Sequence, residues 1–205
     1  MELEVFELGP LGNNAYWVSE DGKNGFLVDA PIGIADILKK KNRCVKALLL
    51  THGHWDHLID GAAIRSTGAR IYAHADDRPL IEDPNKMASY FMPGMSIAPV
   101  TVDETVKDGQ ILSIAGVQIE LRHAPGHSPG STVYYLPKAK IAFVGDVIFE
   151  GGVGRSDFPG GDWATLVRSI KNAIYSLPDE TVLYPGHGGS TTVGVEKTSN
   201  PFIKG

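Results

Sequence analysis

The feature that most restricts how this chain can fold is a set of four polar residues within six positions, His52-x-His54-x-Asp56-His57. Only Thr51 separates it from residues 45–50, a Val- and Leu-rich run whose composition and length predict a buried β-strand. From the composition of the chain, this pattern is expected only about 6 × 10⁻⁴ times by chance, so it is not a generic short motif. The fold must therefore present this cluster at the carboxyl end of a strand.

The residue types and their spacing indicate metal binding. In an extended turn, residues two apart point the same way, so His52 and His54 can converge on one cation. Asp56 and His57 then face a second position beside it, and the spacing suggests two metal ions rather than one. Imidazole and carboxylate groups suit Zn²⁺, Fe²⁺ or Mn²⁺, and ligand type alone does not choose between them. Three further candidate ligands each follow a glycine at the end of a strand, where glycine permits a tight turn: Gly126-His127, Gly145-Asp146 and Gly186-His187.

Composition excludes several classes of protein. With seven His and one Cys, an internal disulfide is impossible, a Cys-based zinc site is not expected, and Cys44 is predicted to be an inert core residue. A net charge of −5 gives no basic field for nucleic acid. Residues 1–10 carry three Glu rather than an export signal, and no apolar run approaches the ~20 residues of a membrane span. We expect a cytoplasmic protein with a small-molecule substrate and neither nucleic acid nor a membrane as partner.

The order of predicted elements favours two packed sheets with helices outside, rather than one parallel βαβ sheet. Short strands come in two batches, each followed by helical segments, and no linker or repeat divides the chain, so we expect one domain over residues 1–205. Strands are predicted for residues 3–8, 15–19, 25–29, 45–50, 69–73, 110–114, 117–122, 131–136 and 140–144, and helices for 34–41, 58–66, 76–82 and, after Asp162 as N-cap, 163–177.

Over essentially the whole chain, these motifs resemble the metallo-β-lactamase superfamily and, within it, the glyoxalase II (hydroxyacylglutathione hydrolase) branch. The resemblance implies an α/β (α+β) fold, a four-layer αββα sandwich with its site along one edge of the two sheets. It also implies two divalent metal ions, Zn²⁺ first, with Fe or Mn as alternatives. The implied ligands are His52, His54 and His127 for the first metal, Asp56, His57 and His187 for the second, and Asp146 as a bridge between them.

The activity that the resemblance implies is hydrolysis of a thioester by water that the two metals acidify, with Asp56 orienting the nucleophile. Common zinc lactamases place a Cys where Asp146 stands, which argues against β-lactam hydrolysis here. Residues 184–188, Tyr-Pro-Gly-His-Gly, resemble those of short bacterial glyoxalase II-like hydrolases. We expect no C-terminal helical domain of the kind that holds glutathione in full-length glyoxalase II.

Three alternatives remain at the level of sequence. Residues 154–158, Gly-Arg-Ser-Asp-Phe, resemble those of mononuclear iron persulfide dioxygenases, although Pro185-Gly186-His187-Gly188 differs from the usual ending of those enzymes. A hydrolase of lactones or other esters with the same fold is a second alternative. A non-catalytic metal-binding module is the third, and the complete set of ligands makes it the weakest.

Contacts with the substrate are predicted in two loops. Arg155 could contact a substrate anion or could instead pair with Asp157. Residues 86–99, which fit neither helical nor strand spacing, could form a substrate-facing lid through Tyr90, Phe91 and Met92, or a packed surface excursion.

Two other histidines are not predicted to bind the metals. His74 follows a predicted strand and is expected to be structural. His123 lies four residues before His127 and is expected to support it by hydrogen bonding.

Overall fold

Two six-stranded sheets form the frame of the molecule in the computed structural model, which describes residues 1–205. The first sheet runs β1 to β6 in chain order. Its first three strands are antiparallel, whereas β3 to β6 pair in parallel. Its strands are β1 (Glu2–Leu8), β2 (Asn13–Ser19), β3 (Asn24–Val28), β4 (Cys44–Leu49), β5 (Arg70–His74) and β6 (Glu104–Val106).

The second sheet has the order β14-β13-β10-β9-β8-β7, and only β10 and β13 pair in parallel. A separate two-stranded ribbon of β11 and β12 stands beside it. The strands are β7 (Ile111–Ile114), β8 (Val117–His123), β9 (Thr132–Leu136), β10 (Ile141–Gly145), β11 (Ile148–Phe149), β12 (Gly152–Val153), β13 (Val182–Pro185) and β14 (Thr191–Thr192).

The helices are short, and none of them is long and apolar enough to cross a membrane. Asp162 caps α4 as predicted, because its side chain accepts a hydrogen bond from the amide of Thr165. The α-helices are α1 (Ile34–Lys40), α2 (Gly61–Ser66), α3 (Arg78–Ile81), α4 (Trp163–Ser169) and α5 (Val193–Ser199); α4 continues into a π-helical turn (Ile170–Ile174), and 3₁₀ helices span Trp55–His57, Ala75–Asp77 and Pro84–Tyr90.

The alternation of side chains along the strands builds the layers. In β4, Ala47 and Leu49 pack between the two sheets, whereas Leu48 packs on the opposite face under α1 and α2. In β10, Phe143 points into the space between the sheets, and Val144 packs outward against α4. The result is the predicted four-layer αββα sandwich.

Several details differ from the sequence predictions. The strands that α1 and α2 connect lie side by side in parallel, so the first sheet contains βαβ units as well as antiparallel pairs. The helix predicted for residues 58–66 begins only at Gly61, and Cys44 is partly buried at the start of β4 rather than in the core. Strands β6, β11, β12, β13 and β14, of two to four residues each, and helix α5 were not predicted, because each is too short for its periodicity to stand out.

Candidate metal centre

The predicted ligands come from both sheets and meet at one edge. The chain leaves β4 and turns through the loop of His52 and His54 into the 3₁₀ helix that carries Asp56 and His57. From the second sheet, the loop between β8 and β9 brings His127, and the ends of β10 and β13 bring the other two. These seven side chains are buried or largely buried, apart from the half-buried His187: His52, His54, Asp56, His57, His127, Asp146 and His187.

Two groups of three donors result, with the membership that the resemblance implied. Within each group, the donor atoms lie within 4.8 Å of one another. Nε2 of His127 is 3.3 Å from Nε2 of His52, and Nε2 of His57 is 3.3 Å from Nε2 of His187. The first group is His52, His54 and His127, and the second is Asp56, His57 and His187.

Asp146 lies between the two groups. Its Oδ1 is 3.4 Å from Nε2 of His57, and its Oδ2 is 3.5 Å from Nε2 of His187 and 3.7 Å from Nε2 of His127. Its carboxylate thus faces donors of both groups, as a bridging ligand would.

Two buried atoms of this cluster test whether a cation fits. Oδ1 of Asp146 and Nε2 of His54 are buried and have no hydrogen-bond partner. Buried polar atoms without a hydrogen bond are rare in folded proteins because their desolvation is costly, and at Oδ1 of Asp146 the contact of 3.4 Å with Nε2 of His57 offsets that cost only in part. Here both belong to a cluster of imidazoles and carboxylates, the donor set that suits divalent transition metals. The residues present therefore fit a metal.

The electrostatics of the first group favour neutral imidazole, the form that binds metals. Burial lowers the pKa of His52 well below its ordinary value, and the neighbouring His57 and His54 lower it further. Burial, followed by the effect of His127, lowers the pKa of His54 to about 3. Lone pairs on both rings are therefore free at neutral pH.

The second group is dominated by its carboxylates. Burial acts to lower the pKa of His57, but Asp146 and Asp56 outweigh it and hold that pKa well above its ordinary value. Burial is likewise outweighed at His187, where the same carboxylates raise the pKa to about 10. Burial would raise the pKa of Asp56, yet His57 and hydrogen bonds from His187 and Asn13 lower it to about 2. Negative charge is thus concentrated here, and a cation would take the place of the imidazole protons.

Hydrogen bonds from outside the cluster fix the orientation of the rings. Nδ1 of His127 donates to the carbonyl of Arg155 at 2.7 Å, and Nδ1 of His187 donates to the carbonyl of Leu11 at 3.0 Å. Since each Nδ1 is occupied in this way, each Nε2 faces the cluster, as is typical of metal-binding histidines.

Three supporting residues were not predicted from the sequence. Asp29, just after β3, accepts hydrogen bonds from Thr51, and its Oδ2 lies 3.0 Å from Nδ1 of His57. Asn13 donates to Oδ2 of Asp56 at 2.9 Å. The fully buried Asp77 accepts hydrogen bonds from residues 53, 128 and 130, and so ties the loop of His52 and His54 to the loop of His127. The sequence does show that Asp29 directly follows a predicted strand. This position identifies Asp29 as a partner of His57 only if β3 is known to lie beside β4.

Replacing Asp29 with Asn is expected to weaken metal binding about 10- to 100-fold, the usual effect of losing the partner of a ligating histidine. The amide would place a donor against Nδ1 of His57 and disturb its tautomer. Asn tolerates the φ of +56° at this position, so the fold should persist. Competition with a chromogenic chelator measures the affinity, and Asp36→Asn, on the exposed side of α1, is the matched control. Unchanged affinity would show that Asp29 does not position His57.

Two of the glycines that precede ligands are required for different reasons. Gly126 has a φ of +129°, which only glycine adopts readily, and an added Cβ would lie 2.3 Å from the backbone nitrogen of Leu166. Gly186 has no unusual φ, but a Cβ there would lie 2.1 Å from Oδ1 of Asp146. At Gly186 the glycine therefore leaves room for the ligand itself.

A cleft of about 550 Å³ opens beside the cluster and exposes part of it to solvent. Arg155 lines this cleft and also pairs with Asp157 at 2.6 Å, while its guanidinium lies 4.2 Å from the centre of the Phe158 ring. The pairing of Arg155 with Asp157 is therefore confirmed, whereas contact of Arg155 with a substrate anion stays a prediction. The apolar side chains that line the cleft are Leu11, Trp55, Met87, Tyr90, Phe149, Val153 and Phe158.

The predicted lid only partly faces this cleft. Within residues 86–99, Met87 and Tyr90 line it from the 3₁₀ helix Pro84–Tyr90. Phe91 and Met92 pack instead against the core under the first sheet, where Phe91 lies 5.9 Å from the ring of Trp55. Phe91 and Met92, which were predicted to contact the substrate, therefore do not line the cleft, whereas Phe158 does.

The fold and the donor cluster are together those of a superfamily of metallo-hydrolases. Residues 8–187 match the sequence profile of the metallo-beta-lactamase superfamily, and the chain belongs to this superfamily. Among curated relatives, the hydroxyacylglutathione hydrolase GloC of Haemophilus influenzae is 37% identical, over 99% of this chain and 98% of that protein.

Two crystal structures show the same fold over nearly the whole chain. The BLEG-1 B3 metallo-beta-lactamase is 36% identical, with a TM-score of 0.88 and coverage of 100% of both chains. TTHA1623 in a di-iron-bound form is 35% identical, with a TM-score of 0.85 and coverage of 98% of this chain and 100% of that one. Because one of these neighbours is named as a lactamase, the argument from Asp146 against β-lactam hydrolysis stays a prediction that needs an assay.

Proposed function

We propose that this protein hydrolyses thioesters with a dinuclear centre of divalent cations, Zn²⁺ first and Fe or Mn as alternatives. The observation that carries the proposal is the pairing of two three-donor groups through Asp146, at the floor of an apolar cleft. The di-iron form of TTHA1623 supports two metals, and the name of the Haemophilus relative supports a thioester. His52, His54 and His127 would hold one cation, Asp56, His57 and His187 the other, and Asp146 both.

Cations bound there would supply the Lewis acidity that makes water a nucleophile near neutral pH and polarises a carbonyl. Asp56 contributes a carboxylate that is ionised at neutral pH, because its pKa is about 2. Asn13 holds Oδ2 of that carboxylate at 2.9 Å, and the side chain reaches the cleft. Asp56 can therefore accept a hydrogen bond from the attacking water and orient it.

The cleft favours a substrate with an apolar part next to the reacting carbonyl. Phe158 lines the cleft, with its ring 4.7 Å from that of His54 and 5.0 Å from that of Tyr90. Arg155 is the only Lys or Arg among the residues that line the cleft, and Asp157 already neutralises it. An acyl group with little charge matches this surface, whereas carboxylates on the thiol carrier would have to lie outside it.

Phe158→Ala is expected to raise KM for an apolar thioester about 10-fold, since burying one large apolar side chain contributes roughly 1.5–3 kcal/mol. The value of kcat should change less, because the ring of Phe158 packs beside the rings of His54 and His127 and carries no polar group that could take part in the reaction. Steady-state kinetics separate the two constants, and Phe202→Ala, which removes an exposed ring far along the chain, is the control. Equal KM values for both variants would show that substrate does not contact Phe158.

The function is tested with full-length protein whose metal content has been counted. S-lactoylglutathione, thioesters of uncharged thiols, a lactone and a chromogenic β-lactam are assayed in parallel, together with oxygen uptake on glutathione persulfide. We expect hydrolysis of thioesters above all others, with about two metal equivalents per chain. No thioester turnover by protein that holds two equivalents would refute the proposal. Oxygen uptake with one iron per chain would favour the persulfide dioxygenase instead.

A further inference from the structure

A second cluster of donors lies outside the centre described above. His74 ends β5 of the first sheet, and His123 ends β8 of the second. Their rings stack with centroids 3.9 Å apart and an angle of 8° between the planes. Asp76 adds a carboxylate, and donor atoms from these three residues lie within 4.8 Å of one another.

The hydrogen bonds of His74 and His123 leave one nitrogen of each ring available to bind a metal. Nε2 of His123 donates to the carbonyl of Pro129 at 2.9 Å, so this hydrogen bond reaches the loop of His127 rather than His127 itself. The same bond leaves Nδ1 of His123 as an unprotonated nitrogen in the neutral ring. Nδ1 of His74 accepts only a long hydrogen bond, 3.3 Å, from the amide of Asp76. A metal-binding histidine usually donates its other ring N–H to a carboxylate, a backbone carbonyl or water, as Nε2 of His123 does here.

The surroundings are suited to positive charge. Burial and the neighbouring His123 lower the pKa of His74, so its ring is neutral near pH 7, while Asp76, Asp77 and Asp108 act on it with negative charge. Asp76 is exposed and forms no ion pair with Lys or Arg, and its Oδ2 lies 3.6 Å from Nδ1 of His74. The cluster thus combines the neutral imidazole of His74 with a carboxylate that no Lys or Arg neutralises.

We propose that His74, Asp76 and His123 form a separate, peripheral site for a late first-row divalent cation of the Zn²⁺ or Cu²⁺ type. Two imidazoles and a carboxylate are ligands that such cations prefer, and solvent can fill a fourth position because the site is at the surface. The rings must tilt out of their stack for the nitrogens to converge, which their partly exposed positions permit.

The position of the site gives the cation a structural role. It joins the end of a strand in one sheet to the end of a strand in the other. Asp76 precedes Asp77, which holds Gly53 and Gly130, and the Pro129 carbonyl that binds His123 lies two residues after His127. A cation here would therefore fasten together two loops that support the catalytic centre, without touching the substrate.

Counting zinc in matched variants tests the site. Full-length wild type, His74→Gln and His123→Gln are each dialysed against the same excess of free Zn²⁺, and metal per chain is measured by mass spectrometry. We expect the wild type to hold one equivalent more than either variant. Equal zinc content in all three would overturn the proposal. A circular dichroism spectrum like that of the wild type shows that a variant is folded, and two independent variants guard against the loss of one.

A pair of carboxylate variants separates chelation from diffuse charge. Asp76→Asn removes a proposed ligand, whereas Asp108→Asn removes an equal charge nearby and keeps an oxygen for the amide of His123. We expect Asp76→Asn to lower the affinity for the additional zinc ion at least 10-fold and Asp108→Asn to change that affinity less than 3-fold. Equal weakening in both would show that zinc follows the local charge and would overturn the assignment of ligands. Added Zn²⁺ should also raise the Tm of the wild type more than that of His123→Gln.

Discussion

Asp146→Asn is expected to lower kcat/KM for a thioester about 10³-fold, because charge stabilisation by a metal site is worth several kcal/mol and this variant removes the shared ligand. The carboxylate lies 3.4 to 3.7 Å from imidazole nitrogens of both groups. An amide of the same shape keeps the packing but carries no negative charge, so both cations lose affinity at once. Metal content and steady-state kinetics are measured on the same preparation.

The metal content decides what the Asp146 variant means. Loss of metal from both positions together with loss of activity supports a bridging carboxylate. Full metal content with wild-type kinetics would contradict any role of Asp146 as a ligand. Asp179→Asn is the control, because this exposed carboxylate pairs only with Lys197 at 2.6 Å, and we expect no more than a twofold change there.

The division of the four ligands within residues 52–57 into two pairs could be predicted because it depends on local geometry, whereas the assignment of His127, Asp146 and His187 came from the family resemblance. His52 and His54 are two apart in extended chain, and the 3₁₀ helix from Trp55 turns Asp56 and His57 to the other side. Such geometry holds over a few residues whatever the rest of the chain does. A strand that runs directly into the motif likewise placed the site at the edge of a sheet.

The supporting residues could not be predicted, because they depend on which strands are neighbours. Asp29 reaches His57 only since β3 and β4 lie side by side in parallel, 28 residues apart in the chain. Asn13 reaches Asp56 through the turn between β1 and β2, across 43 residues. One sequence gives no pairing of strands, so neither contact follows from periodicity.

The residues that line the cleft were predicted least well, because their positions also depend on contacts that periodicity does not reveal. Residues 86–99 have no regular period, so the directions of their side chains could not be predicted. Tyr90 faces the cleft and Phe91 faces the core, as neighbours in an irregular segment often do. Phe158 also lines the cleft, and its ring stacks against the guanidinium of Arg155, a contact that composition does not reveal.

Gly186→Ala is expected to lower kcat/KM about 10²-fold by moving a ligand rather than by removing one. The new Cβ would lie 2.1 Å from Oδ1 of Asp146 and 2.6 Å from Cε1 of His57, so both side chains must shift. Displacement by about 1 Å at a catalytic group can cost 10²-fold, and overpacking destabilises a fold by roughly 1–3 kcal/mol. Activity, metal content and the free energy of unfolding are measured together.

The neighbouring Gly189→Ala provides the comparison that makes this prediction specific. Neither glycine has a φ in the left-handed region, so alanine strains the backbone at neither position, and the two variants differ only in what the methyl group meets. At Gly189 that is Oε2 of Glu150, at 2.9 Å, on a flexible and exposed side chain that can move away. We expect activity within about twofold of wild type for Gly189→Ala, as is usual for surface changes. If both variants lose activity equally, the loop as a whole is sensitive and the close approach of Gly186 to Asp146 is not the cause. If Gly186→Ala alone loses activity while it stays folded, the space beside Asp146 is what this glycine preserves.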